Sequence, residues 1–246
     1  MSLSFDFSNK KILVTGASQG IGRELVVELT KRGATVFALG RNEKALEELS
    51  RLCGAVPIVC DVTDSEDAIR RCLEPYQPFG YLVNNAGIAI LEPFGEISPE
   101  SFTRTLDVNV KGPLLISQVV SNEMIKHKIQ GVIVNVSSQA SVKPLDSHTS
   151  YCASKAALDM LTMCMARELG PKGIRVNSVN PTVVMTEMGR KNWSDMSKAK
   201  TLLDRMPVQR FAEVEDVVNS IMFLLSSGSS MTTGSILPVD GGYINQ

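Results

Sequence analysis

The sequence predicts an α/β fold: a doubly wound parallel sheet of about seven strands with helices on both faces, in a single domain spanning 1–246. Two observations carry this. Short apolar runs alternate with helical patterns along the whole chain, the signature of repeated βαβ units. A glycine-rich turn, Gly16-x-x-x-Gly20-x-Gly22, also stands between the first apolar run and the first helical pattern. With 246 residues, 43% of them hydrophobic, the chain can bury the large core such a sheet needs.

The elements follow in order. Lys11–Thr15 is the first strand, and a helix follows the glycine turn to about Arg32. Thr35–Leu39 is a strand, Asn42–Leu52 a helix, Pro57–Cys60 a strand, Ser65–Glu74 a helix and Tyr81–Val83 a strand. A long helical pattern from about Pro99 to Lys128 is expected to be interrupted near Gly112-Pro113. Val132–Val136 is a strand, Ser150–Leu169 a helix rich in Ala, Leu and Met, and Arg175–Val179 a strand. Glu213–Leu225 is the last helix and Ser235–Val239 the last strand. Residues 182–207 break the rhythm: they are polar, Met-rich and hold the one tryptophan, Trp193. Lying beyond the carboxyl end of the sixth strand, this segment reads as a substrate lid.

Charge and composition exclude several partners. The 25 basic and 26 acidic residues leave a net charge of -1, which argues against nucleic acid. The longest apolar runs are too short to span a membrane, and Met1 to Lys11 lacks the apolar core of a signal peptide. A cytoplasmic location is the expectation. Five cysteines without a C-x-x-C pair and two histidines offer no metal-ligand spacing. The cysteines are expected to be reduced and mostly buried, and the Met163-Cys164-Met165 run to belong to the core.

The run Gly16-Ala17-Ser18-Gln19-Gly20-Ile21-Gly22 opens a helix, where glycines let the backbone approach a pyrophosphate whose charge suits the helix N-terminus. The second strand ends without the acid that bonds a ribose 2′-hydroxyl, and Arg41 beside it suits a 2′-phosphate instead. These residues point to NADP(H). Asp61 and Val62, after the third strand, either line the adenine or, for Asp61, cap the next helix. Asn84-Asn85-Ala86-Gly87 reads as a turn supporting cofactor and sheet.

Together with Asn109, Ser138, Tyr151-x-x-x-Lys155 and Asn180-Pro181, these motifs fall in the order and spacing of the short-chain dehydrogenases/reductases. The chain resembles that family over essentially its whole length, which implies a Rossmann-type fold and hydride transfer between NADP(H) and a carbonyl or hydroxyl group. Tyr151 and Lys155, four apart, share one helix face. The neighbouring ammonium is expected to lower a phenol pKa of about 10 toward neutrality, so that Tyr151 serves as acid and base. Ser138, rather than Ser137, would hydrogen-bond the reacting oxygen. The resemblance further implies that Lys155 holds the nicotinamide ribose and that Asn109 anchors a relay water. It also implies that Pro181-Thr182, Val184 and Thr186 touch the nicotinamide carboxamide and phosphates, and that the long helices pair copies into a homotetramer.

The segments from Asn180 to Gly189, around Trp193 and Lys198, and from Phe211 and Met231 resemble the dicarbonyl/L-xylulose reductases more narrowly. That implies a small carbonyl or polyol substrate, with Gln139, His148 and Trp193 as candidate contacts beside Ser138 and Tyr151. His148 and Trp193 have equally good structural readings. A 3-oxoacyl thioester reductase is the alternative, for which Arg190, Lys191, Lys198 and Lys200 would greet an acidic carrier. A non-catalytic dinucleotide-binding scaffold is the alternative from another class, though Ser138, Tyr151 and Lys155 all stand.

Overall fold

Strands form where Val, Ile and Leu run without interruption. Ile12-Leu13-Val14 in β1 (Lys11–Thr15) and Val132-Ile133-Val134 in β5 (Val132–Val136) are buried, as central strands covered on both faces require. The computed structural model describes residues 5–193 and 196–245 and places both strands in one seven-stranded sheet. The others are β2 (Thr35–Gly40), β3 (Val56–Val59), β4 (Tyr81–Asn84), β6 (Arg175–Pro181) and β7 (Ile236–Val239). All pairs are parallel, in the order β3-β2-β1-β4-β5-β6-β7. This is the expected Rossmann-type sheet. The edge strands β3 and β7 each hold a proline, Pro57 and Pro238.

The helices are α1 (Gly20–Lys31), α2 (Glu43–Cys53), α3 (Glu66–Leu73), α4 (Pro99–Leu106), α5 (Gly112–Lys126) and α6 (Thr149–Leu169). After β6 come α7 (Glu187–Trp193), α8 (Met196–Leu203) and α9 (Val214–Leu225). Their starts are written in polar caps. Asn42 accepts from the Ala45 N–H at 3.2 Å, Ser65 from Ala68 at 3.3 Å and Ser98 from Ser101 at 3.1 Å. Apolar faces of α1, α2 and α9 cover one side of the sheet through Leu25, Leu29, Leu46, Val217 and Ile221. The faces of α3, α5 and α6 cover the other through Ile69, Ile116, Val120 and Ala166. β1 is flanked by β2 and β4, so the chain reverses direction across the sheet there and opens a crevice at the carboxyl ends.

The long helix is interrupted where expected, next to Gly112-Pro113, by a π segment at Asp107–Lys111 in which the Gly112 N–H bonds the Asp107 carbonyl. Pro113 has no N–H for the carbonyl of Asn109, so the α-helical ladder fails upstream of the proline. Two expectations need correcting. Of the five cysteines, all free, Cys60 alone is buried; Cys53, Cys72 and Cys152 are half-buried and Cys164 is exposed. Met163 is likewise exposed, and only Met165 of its run packs against the core. α6 is apolar on more of its surface than the sheet covers.

Candidate active site

The crevice is built first by a lock between two turns. Thr15, ending β1, accepts at its hydroxyl from the N–H groups of Asn85 and Ala86, both at 3.1 Å. The Asn85 side chain returns bonds to the carbonyls of Thr15 (3.0 Å) and Gly16 (3.1 Å). The contact leaves no room for side chains. A Cβ on Gly16, at φ +64, would lie 2.8 Å from the Ala86 Cα, and one on Gly22 would lie 2.4 Å from the Gly16 carbonyl oxygen. Gly22 thus supports the loop from beneath. Gly16, Ser18, Gln19, Gly20 and Ile21 face a cleft of about 550 Å³.

At the end of β2, Arg41 is 62% exposed and its guanidinium is 3.5 Å from the Asp61 carboxylate. Asp61 also accepts from the Thr63 N–H (2.9 Å) and hydroxyl (2.8 Å), and Arg104 of α4 lies 3.8 Å away. Burial pushes the Asp61 carboxyl up, but the Thr63 bonds and the two arginines outweigh it and hold the pKa below the ordinary value. Asp61 does not cap α3, because Ser65 does. Asp61 and Val62 lie on the cleft wall.

The chemical end lies between β5, β6 and α6. Ser138 leaves β5 in extended backbone, and its hydroxyl accepts from the Ala140 N–H at 3.1 Å. Tyr151 and Lys155 stack one turn apart on α6, with the Lys155 Nζ 5.6 Å from the Tyr151 ring centroid. Burial raises the Tyr151 pKa and the Ser138 hydrogen bond opposes it; the nearby Cys152 adds to the rise. The expected lowering by Lys155 is therefore not what this geometry produces, since desolvation dominates. Lys155, 4% exposed, donates to the Val136 carbonyl at 2.8 Å, and burial pulls its pKa down to about 8, against the charge of Asp159. Ser137 continues the sheet, bonding the Val179 carbonyl through its N–H at 2.8 Å, and its hydroxyl donates to the Lys155 carbonyl at 3.3 Å.

A family model described as short chain dehydrogenase matches residues 10–197. The chain belongs to the short chain dehydrogenase family. It is accordingly an oxidoreductase acting on CH–OH or C=O groups. It is similar to the L-xylulose reductase of Caenorhabditis elegans, 56% identical over 250 residues and all of both chains. The D-erythrulose reductase of Gallus gallus is 51% identical, over 99% of each chain. Among solved structures, a gluconate 5-dehydrogenase from Burkholderia cenocepacia J2315 in complex with NADP and tartrate superposes with a TM-score of 0.92. It is 29% identical and the match covers 99% of this chain and 98% of that one.

The residues fit the family's nicotinamide cofactor. A Cβ on Gly87 would lie 3.4 Å from the Asn109 Oδ1 and 3.6 Å from the Lys155 Nζ, so a side chain there would fill the space before the lysine. Asn85, Ala86, Gly87, Pro181, Val184 and Thr186 line the same cleft, which ends at Ser138, Gln139, Tyr151, Lys155 and Trp193. Two further expected site residues are buried beside it. Asn109 is buried in the π segment, accepting from the Ile88 N–H and donating to the Ser154 hydroxyl, each at 2.9 Å. His148 is 4% exposed, its Nδ1 2.6 Å from the Asp146 carbonyl and its ring 6.2 Å from both Tyr151 and Trp193. It packs beside two residues of the cleft.

Gln139 is 1% exposed, and neither its Oε1 nor its Nε2 has a hydrogen-bond partner. The Thr182 hydroxyl, also on the cleft wall, is buried without one. Sequence reasoning missed Leu145 and Val183, which with Trp193 form an apolar wall there, and Arg104, which shares Asp61 with Arg41. Leu145 and Val183 flank motif residues and so carried a local signal; Arg104, on α4, carried none.

Proposed function

We propose that the chain is an NADPH-dependent carbonyl reductase that reduces L-xylulose to xylitol, and small α-dicarbonyls, by reversible hydride transfer. The observation that carries this reading is the pair of buried, unpartnered polar groups, Gln139 and Thr182, beside Ser138 and Tyr151. Leaving a buried amide unpaired costs about 1–3 kcal/mol, which a ligand's hydroxyl groups would recover. A pocket of this kind favours a small polyhydroxy ketone over an apolar one. The names of the relatives, both ketose reductases, support the same class.

The bound dinucleotide supplies the hydride. Gly16 to Gly22 and the N-terminus of α1 would hold its phosphates, Arg41 its 2′-phosphate, and Asp61 with Val62 its adenine side. Pro181, Val184 and Thr186 would hold the nicotinamide end, and Lys155 its ribose. Tyr151 gives its phenolic proton to the substrate oxygen in reduction and takes it back in oxidation. Ser138 donates to that oxygen as negative charge develops on it. Burial keeps the phenol neutral, which suits a proton donor. Asn109, next to the lysine, anchors the water that returns the proton.

The segment 182–207, with α7 and α8, serves as the lid. Trp193 covers the substrate while packed on Phe211 and His148, at ring distances of 6.1 and 6.2 Å. Ser194 and Asp195 of that segment lie outside the described residues, as do the side chains of Lys191 and Lys198. Exposed Met160 and Met163 on α6 and Phe102 on α4 support pairing of copies into a homotetramer. Light scattering at micromolar concentration checks the assembly, and a monomer would refute it. Among the described residues, no helix is long and apolar enough to cross a membrane. A cytoplasmic location remains the reading.

The test is NADPH oxidation followed by absorbance, with L-xylulose, diacetyl and an acetoacetyl thioester in parallel, repeated with NADH. Turnover of sugar and diketone with NADPH is the expected result. Turnover of the thioester alone would overturn the substrate class, and equal rates with NADH would overturn the role given to Arg41.

A further inference from the structure

α6 carries a third polar residue in line with Tyr151 and Lys155. Asp159 lies one turn beyond the lysine, on the same face, and is 6% exposed. A carboxylate at that depth is costly unless hydrogen bonds hold it. The Asn180 amide holds it: the carboxylate Oδ2 accepts from the Asn180 Nδ2 at 2.7 Å, while the Ser178 hydroxyl, 3.3 Å from Oδ1, shares its one proton between that oxygen and Asn180. The Asn180 amide goes further. The same nitrogen reaches the Ser138 carbonyl at 3.1 Å and the Ser141 hydroxyl at 3.0 Å, and Ser178 donates to its Oδ1 at 2.7 Å. Two amide protons are therefore shared among three acceptors, and the carboxylate is the nearest of them. A bonded path thus runs from α6 through the end of β6 to the short turn Gln139–Ser141 that follows Ser138.

We propose that Asp159 is a positioning residue: through Asn180 it fixes the turn that aims the Ser138 hydroxyl at the reacting oxygen. This rests on the roles given above to Ser138, Tyr151 and Lys155. Reach matters here because a displacement of about 1 Å at such a distance from the chemistry costs up to about a hundredfold in rate. Asp159 has a second effect, on Lys155. Of the groups around the lysine, Gly87, Val136, Ser137 and Asn109 carry no charge at neutral pH, and Tyr151 is a neutral phenol. Asp159 is the charged group acting on the lysine, and its sign favours the ammonium. Removing the charge lowers the Lys155 pKa further, so activity that depends on the protonated lysine is lost at a lower pH.

The experiment compares Asp159→Ala, Asp159→Asn, Asn180→Ala and the double variant Asp159→Ala/Asn180→Ala, using whichever carbonyl the native enzyme reduces. Asp159→Ala and Asn180→Ala are each expected to lower kcat by roughly 10–100-fold while the KM for NADPH holds. The double variant loses no more than the worse single one, because both act on one path. Asp159→Asn keeps an oxygen for the Asn180 amide, so it retains most of kcat near pH 6.5. It still moves the basic limb of the pH profile to lower pH. A merely structural aspartate would lower stability without moving that limb. Additive losses in the double variant, or Asp159→Ala within about threefold of native with an unmoved limb, would overturn the proposal. If the native protein reduces none of the three carbonyls, the functional reading falls by itself. Titration of isotope-labelled Lys155 by NMR, native against Asp159→Asn, then decides: an unchanged midpoint overturns the electrostatic half. An unchanged Ser138 amide shift in Asn180→Ala overturns the rest.

Discussion

The two ends of the cleft are finished to different degrees. At the dinucleotide end, the Thr15 hydroxyl and the Asn85 side-chain N–H groups are bonded within the protein, and glycines at 16 and 22 permit approaches that no Cβ would allow. At the substrate end, both polar atoms of Gln139 and the Thr182 hydroxyl are buried and unbonded. The first arrangement is rigid before anything binds, and its geometry is independent of the ligand. The second is complete only with a guest, so its energetics include the guest's hydroxyl groups. A family that keeps one cofactor and changes substrates would divide its sheet end in this way.

The contrast can be broken at either end, and the largest effect should come from the chemistry between them. Tyr151→Phe is expected to cut kcat by roughly a thousandfold or more while NADPH fluorescence titration still shows binding. Substantial turnover in that variant would remove the proton donor from the mechanism. Gly22→Ala attacks the finished end: its Cβ would meet the Gly16 carbonyl at 2.4 Å, so the loop must shift. A stability loss of about 1–3 kcal/mol, seen as a lower Tm, should accompany weakened dinucleotide binding. Unchanged binding would mean that the loop is not preorganised.

Gln139→Leu should do the opposite at the unfinished end. With two unpaired polar atoms gone, the free protein gains roughly 1 kcal/mol, while the KM for L-xylulose rises about tenfold and that for diacetyl little. A destabilised variant with unchanged selectivity would show that Gln139 is filler. The smallest effect belongs to Arg41→Ser. Its guanidinium is mostly exposed, so a loss of severalfold in NADPH affinity, shrinking as salt rises, is expected, with NADH unaffected.

What the sequence made legible follows the same division. The glycine turn, Asn85 and Tyr151-x-x-x-Lys155 are local patterns on elements whose periodicity is strong, so their neighbours could be read from spacing alone. Lys155's depressed pKa and Tyr151's raised one depend on burial by β5 and the 138–141 turn, which no local pattern reports. His148 looked equally apt as a contact or as packing, and its place beside Trp193 is decided by α7, far along the chain. Asp159 was in plain view one turn past the lysine, but its partner Asn180 comes from β6, outside the helix. The exposed Met163 and Cys164 misled because an apolar run says that a face is covered, without saying by what.

The two prolines at the rims of the sheet carry a consequence of their own. The Cys60 N–H turns inward to Gly40, and the carbonyls of Ser235 and Val239 turn inward to β6. Alternation along each strand therefore points Pro57 and Pro238 outward. A strand sliding up to either margin meets a pyrrolidine ring where it needs a donor. Open margins of parallel sheets are where chains stack into fibres. Here the sheet stops at seven strands by composition, and crowding of copies at high concentration leaves contact to the side chains of the outer helices.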